Sequence, residues 1–251
     1  MNRPGLRGID ISSHQGMIDF AKVKQAGYGF VLIKAGQGMT QMQTFRERYL
    51  PEVEAAGLDW GAYWWSDAVT AEEAREEGRA FLKAVEGLKP AYPLWMDQEY
   101  GSPHQHCTKQ QRTDMVKAFL DTLQDAGYYA GLYCSYDWIQ NWLYASQLTA
   151  YDKWIAQYSS RCDYKGEYGI WQYGVLGTAG TKGKDYTLVG KVPGVNANCD
   201  VNYCYKDYPT IIRGAGLNGW GGQPPAPEPD YKALYLAAQD KLDRMRSILE
   251  E

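Results

Sequence analysis

Residues 60–100 read WGAYWWSDAVTAEEAREEGRAFLKAVEGLKPAYPLWMDQEY. The stretch opens on 60–65, an aromatic, alternating run suited to a pleated strand. Thr70 followed by Glu73 has the spacing of a capping box. Ala74, Gly78, Phe81, Val85 and Leu88 then recur at helical intervals until Pro90 ends the pattern. A second apolar run, 93–99, follows. Strand, amphipathic helix, strand is the unit from which parallel α/β sheets are built.

The same alternation extends in both directions. Strand candidates precede it at 8–12 and 29–35, and follow it at 129–135, 153–158, 169–173 and 199–205. A short helix runs from Asp19 to Gly27 with Phe20, Val23 and Ala26 inward. Thr44 with Glu47 has capping-box spacing and opens another, with Phe45, Tyr49, Val53 and Ala56 on one face and Gly57 at its end. Thr108 with Gln111 opens a third, carrying Met115, Phe119 and Leu123 and ending at Gly127. Eight strands alternating with helices predict a parallel α/β barrel. Helical signal fades after about Leu148, so the expectation is an irregular TIM-like (β/α) barrel with eight strands and fewer helices.

The barrel is expected over residues 1–213. Residues 214–230, GAGLNGWGGQPPAPEPD, have the composition of a linker. Residues 231–251 read as one helix, with Tyr231, Tyr235, Ala238, Leu242, Met245 and Leu249 forming a heptad seam. A lone helix of that length is marginal in water, so it is expected to oligomerise, as a homo-oligomer, or to dock.

Composition narrows the function classes. Of 251 residues, 45% are hydrophobic and 22% charged, which supports a sizeable core and excludes general disorder. A net charge of -4 argues against nucleic acid as a partner. No apolar run approaches the ~20 residues of a membrane span. The opening MNRPGLRGID lacks the apolar core of a signal peptide, so synthesis without a cleaved signal is expected. Five cysteines without C-x-x-C spacing read as free thiols. The 21 Tyr and 9 Trp against 5 Phe favour rings with a polar tip, which suit flat, hydroxylated ligands such as sugars.

The chemistry centres on Asp97 and Glu99, two residues apart at the end of a strand. Alternation places both on one face. Two carboxylates at that range can hold one another at different protonation states, as glycoside hydrolysis requires. Asp10, at the end of the first strand, and Asp200, in the last, sit among Ile, Val and Cys, where an acid is out of place unless the strand end opens into a polar site. In a closed barrel these strands are neighbours, and all four acids can reach the mouth. Three other readings remain open on the residues alone: a phosphodiesterase using the acids as Mg²⁺ or Ca²⁺ ligands, a wall amidase built on Cys107 and His106, and a binding barrel without turnover. The loop GSPHQHCTK, with His104, His106 and Cys107, matches no standard metal spacing and is expected to be exposed.

Taken in order, GIDISSHQG, FVLIKAGQG, GAYWW, PLWMDQE, YAGLYCS, KWIAQY, GIWQYG and CDVNYCY make the chain resemble the family 25 glycoside hydrolase lysozymes, the N-acetylmuramidases of bacteria and bacteriophages. The resemblance implies cleavage of the β-1,4 bond between N-acetylmuramic acid and N-acetylglucosamine in peptidoglycan, with retention, no cofactor and no metal. It implies Glu99 as general acid/base, Asp97 as its assistant, and Asp10 and Asp200 completing an acidic floor. It also implies that Lys34, Tyr63, Trp65, Tyr133, Trp154, Gln157 and Gln172 line the substrate groove. Two departures stand out. The segment 36–44, GQGMTQMQT, lacks the acidic and aromatic residues often found there, and wall-binding repeats are missing.

Overall fold

The computed structural model describes residues 5–177 and 187–221. The expected helix at 231–251 and most of the expected linker lie outside the described residues.

Eight strands close into a barrel. β1 (Leu6–Ile11) pairs in parallel with β2 (Phe30–Gln37), which carries a short antiparallel partner, β3 (Thr40–Gln41). The parallel order continues through β4 (Asp59–Trp65), β5 (Leu94–Asp97), β6 (Ala130–Ser135), β7 (Asp152–Ala156) and β8 (Ile170–Gly177). β9 (Thr187–Val189) adds to β8 outside the ring. β10 (Cys199–Cys204) runs antiparallel to both β8 and β1 and closes the ring between them. All eight strand candidates are present, and within the ring the reversed strand is the last.

The helices cover the first half of the barrel: α1 (Phe20–Gln25), α2 (Leu50–Ala55), α3 (Ala71–Val85) and α4 (Lys109–Asp125). Beyond β6, among the described residues, come only single turns, Trp138–Trp142 and Ala145–Gln147, until α5 (Tyr208–Gly214). Thr108 and Gln111 form the expected reciprocal capping box. Thr70 accepts from the Glu73 amide, but the Glu73 carboxylate reaches one residue further back, to the Val69 amide. Thr44 is different. It lies in helical conformation and caps nothing, because a π-turn over Phe45–Tyr49 leads directly into α2. That wider turn keeps Phe45 and Tyr49 buried in the core.

Alternation along each strand separates two cores. Outward side chains such as Val31, Ile33, Trp64, Leu94, Met96, Leu132 and Ile155 pack beneath the helices. Inward side chains, including Phe30, Leu32, Trp95, Tyr133, Trp154 and Ile170, fill the lumen. Large rings are accommodated by glycines on neighbouring strands. A Cβ on Gly8 would lie 2.3 Å from the Phe30 ring, and one on Gly131 would lie 2.2 Å from Trp95. The lumen is therefore packed solid up to its polar rim.

The N-terminal end of the barrel is sealed by residues that composition assigns to the linker. Asn218, in left-handed backbone at φ 54°, is fully buried. Its Oδ1 accepts from the Tyr129 amide at 2.8 Å, and its Nδ2 donates to the carbonyls of Pro90 and Tyr92, each at 3.0 Å. Trp220 donates to Pro90 as well, at 3.2 Å. The expected boundary at 213/214 thus falls inside packed structure, which runs to Gly221. Gly and Asn here serve tight turns rather than a free tether. Replacing Asn218 by Ala removes its bonds to the Tyr129 amide and the Tyr92 carbonyl and leaves Pro90 with Trp220 alone, and the expected loss is about 2–3 kcal/mol. Denaturant unfolding reads it; an unchanged midpoint would show that 215–221 does not seal the barrel.

Candidate active site

The mouth of the barrel is a groove of about 260 Å³ holding all four acids. Asp10 and Asp200 are direct register partners across the β1/β10 pair, so the antiparallel last strand delivers its N-terminal end to the same rim as the C-terminal ends of the others. Asp97 is the last residue of β5. Glu99 lies two residues beyond the strand, just before the turn that starts at Tyr100, rather than inside the strand as expected. Between them Gln98 is turned away and accepts from the Trp138 indole at 3.2 Å, which leaves Asp97 and Glu99 on the groove side.

Burial dominates the electrostatics. It pushes the carboxyls of Asp10 and Asp97 well above the usual carboxylate range; the charge of Asp200 adds to the effect on Asp10, and Glu99 adds to that on Asp97. Glu99 is pushed up to about 7 by burial and then by Asp200, with Lys34 pulling the other way. Asp200 is raised by burial and relieved by the Tyr158 hydroxyl, which donates to it at 2.8 Å. Among the described residues no donor reaches Asp97 Oδ1, although that atom is buried. Lys34 is held by Gln37 at 3.0 Å and stands 5.1 Å from the Trp65 ring centre. Its ammonium is lowered by burial and supported by Asp97, Asp67 and Glu99.

The expected groove residues divide into three groups. Lys34, Tyr63 and Trp65 line the groove wall, and Trp64 points outward to pack on Phe81 of α3. Tyr133, Trp154 and Gln172 form its base, at 8%, 1% and 2% exposure, and work chiefly as hydrogen-bonding floor. Gln157 is not in the groove. β7 ends at Ala156, and the Gln157 side chain is locked to Asp163, donating to its carboxylate at 2.8 Å and accepting from its amide at 2.7 Å. Alternation already separates the two groups: 154, 156 and 158 share a face, and 157 does not. By the same parity Tyr158, missed at first, belongs to the groove, and Asn202 shares the face of Asp200. Ser12, His14 and Gln15 also line it, on a turn closed by a reciprocal Ser12/Gln15 capping box.

The His104 loop differs from expectation. Pro103–His106 is a short helical turn, and His104 is fully buried against Trp138, which lowers its imidazole to about 4. No group of His, Cys, Asp and Glu among the described residues has the geometry to hold a metal ion. All five cysteines are free thiols. A larger cavity, about 410 Å³, lies at the other end of the barrel beside Asp152, whose carboxylate already accepts from Tyr129, Tyr208 and Lys206.

Residues 9–180 match the family model described as Glycosyl hydrolases family 25. An autolytic lysozyme of Clostridium acetobutylicum is 26% identical over 197 residues, 78% of this chain and 55% of that protein. The chain thus spans about half the length of that curated relative. Among solved structures, the CTP1L endolysin superposes with a TM-score of 0.67 at 25% identity, over 83% of this chain and 69% of that one. A bacterial lysozyme from Streptomyces coelicolor gives 0.65 at 20% identity, over 85% and 97%; at that identity the likeness is one of fold.

The raised Glu99 has a cost in stability. Between the ordinary carboxylate range and about pH 7 the folded protein keeps the Glu99 proton while the unfolded chain has lost it. Stability therefore falls as pH rises through that window. Glu99→Gln is expected to be more stable than wild type at pH 8 by about 1–2 kcal/mol, with the gap closing by pH 4. Thermal unfolding at the two pH values measures it, and an equal gap at both would assign the effect to packing.

Proposed function

The chain belongs to the glycosyl hydrolases of family 25, and from that premise we propose that it is a lysozyme of the bacterial cell wall. Its substrate is peptidoglycan, and the bond cleaved is the β-1,4 link from N-acetylmuramic acid to N-acetylglucosamine. The observation that carries the reading is the pairing of Glu99, pushed up to about 7, with a buried Asp97 whose Oδ1 lacks a donor.

Glu99 holds its proton near neutrality and gives it to the glycosidic oxygen as the C1–O bond breaks. The acetamido carbonyl oxygen of the same muramic acid closes on C1 from the opposite face, giving an oxazolinium ion and net retention after a second inversion. The Asp97 carboxyl accepts the acetamido N–H, orienting the group and balancing its developing positive charge. Water then attacks C1 as the C1–O bond to the acetamido group breaks. The Glu99 carboxylate takes the water's proton and is restored. A direct bond from Asp97 to C1 fits less well, since the carboxylate is 3% exposed at the end of a rigid strand.

Asp10 and Asp200 place carboxyl oxygens beneath the cationic transition state. Lys34 is the cation of the groove wall, placed for the lactyl or stem-peptide carboxylate of the wall polymer. Tyr63 and Trp65 offer ring surfaces to the sugars. The scheme uses side chains and substrate alone, so it calls for no cofactor.

Purified peptidoglycan, digested, reduced with borohydride and analysed by mass spectrometry, tests the reading. Wild type is expected to leave reduced muramic acid ends, at the same rate with or without EDTA. Glu99→Gln is expected to lower the rate about 10³-fold. Reduced glucosamine ends, or no new ends, would refute it.

A further inference from the structure

The base of the groove contains two hydrogen-bond chains that meet on one atom. The Trp154 indole N–H donates to Asn202 Oδ1 at 2.8 Å, and Asn202 Nδ2 donates to Asp10 Oδ1 at 2.7 Å. The Tyr133 hydroxyl donates to Gln172 Oε1 at 2.8 Å, and Gln172 Nε2 donates to the same Asp10 oxygen at 3.0 Å. Trp154, Asn202 and Gln172 are at most 2% exposed, so water does not compete for these bonds.

An indole N–H can only donate. It therefore forces the carbonyl end of Asn202 toward itself and the NH₂ end toward Asp10. An amide turned the other way would set two N–H donors face to face and press its oxygen against the carboxylate. With both amides donating to Oδ1, any proton on Asp10 is confined to Oδ2, and ionisation of the group is favoured. We propose that Asn202 is a positioning residue, its amide locked by Trp154, and that together with Gln172 it fixes the orientation of the Asp10 carboxyl beneath the reacting sugar and opposes its protonation.

The consequence for catalysis rests on the lysozyme reading; the hydrogen-bond logic does not. Trp154, conspicuous in the sequence as a candidate sugar platform, acts here from below, through its N–H. Asp10 is faced by Asp200 on β10, Asp97 and Glu99 at the end of β5, Tyr63 of β4, Tyr133 of β6, Tyr158 after β7, and the Cys199 thiol, which lies 3.8 Å from its backbone carbonyl. None of these groups is removed when Trp154 becomes Phe; because Trp154 packs on Tyr63 and Tyr133, Asn202→Ala and a packing control are needed beside it to isolate the indole N–H.

The test follows the Asp10 carboxyl carbon by NMR through a pH titration of protein carrying ¹³C-aspartate, with Asp10→Asn used for assignment. In Trp154→Phe and Asn202→Ala the Asp10 titration is expected to move up by about one pH unit relative to wild type. Ile170→Val, which trims the same lumen without touching a hydrogen bond, is expected to leave it in place. On peptidoglycan, the acid limb of kcat/KM for Trp154→Phe should move up by the same amount. An unmoved Asp10 titration in both variants, an equal shift in Ile170→Val, or a uniform loss of rate at every pH would overturn the proposal. Should wild type fail to cleave peptidoglycan, the lysozyme reading fails, and the titration still decides the role of Asn202.

Discussion

The antiparallel pairing of β10 with β1 governs everything at the mouth of the barrel. It closes the sheet, and it does so in a register that sets Asp10 directly opposite Asp200. Two carboxylates cannot face one another in a buried setting without help, since each loses water and gains a like charge. The strand that completes the fold thus creates its least comfortable contact. The surroundings answer that contact: amides from Asn202 and Gln172 on one acid and the Tyr158 hydroxyl on the other, while across the groove Lys34 attends Asp97 and Glu99.

That arrangement depends on a rigid base. The lumen below the acids is built of rings, with Trp154 near Trp95, Tyr133 and Tyr63, and Tyr208 beneath. Such a filling excludes water, which raises the carboxyl groups and strengthens every hydrogen bond they keep. It also explains the unusual choice of Tyr and Trp over Phe. At the boundary between an apolar lumen and an acidic rim, a ring with one donor fills space and directs polarity at once. Many of the aromatics that suggested sugar binding serve this internal task.

The barrel was legible because strand alternation and helix caps are local properties. Residues 60–65 divide correctly into Tyr63 and Trp65 inside and Trp64 outside, and the Thr108/Gln111 cap formed as its spacing implied. The four acids gathered because the C-terminal ends of the parallel strands share a rim with the N-terminal end of the antiparallel last strand. What the residues alone hid is non-local. The Thr44/Glu47 spacing matches a cap, yet a π-turn fixed by the burial of Phe45 and Tyr49 overrides it. GAGLNGW reads as tether, but Asn218 finds three backbone partners far away in sequence. The roles of His104 and Gln157 were set by their tertiary partners, Trp138 and Asp163. For Gln157 the parity of the strand carried the signal all the same.

The order in which the chain supplies its acids has a bearing on the cell that makes it. Asp10 comes from the first strand and Asp200 from the last, and Asn202, which orients Asp10, follows two residues later. A ribosome must deliver nearly the whole barrel before the rim has its full charge and Asp10 its amide. Until then the polypeptide carries Asp97 and Glu99 in an unclosed sheet, without the neighbouring acid that helps Glu99 keep its proton. The topology thus acts as a timer. Fragments from stalled translation or early proteolysis inherit the Asp97–Glu99 pair but not the closed rim that surrounds it.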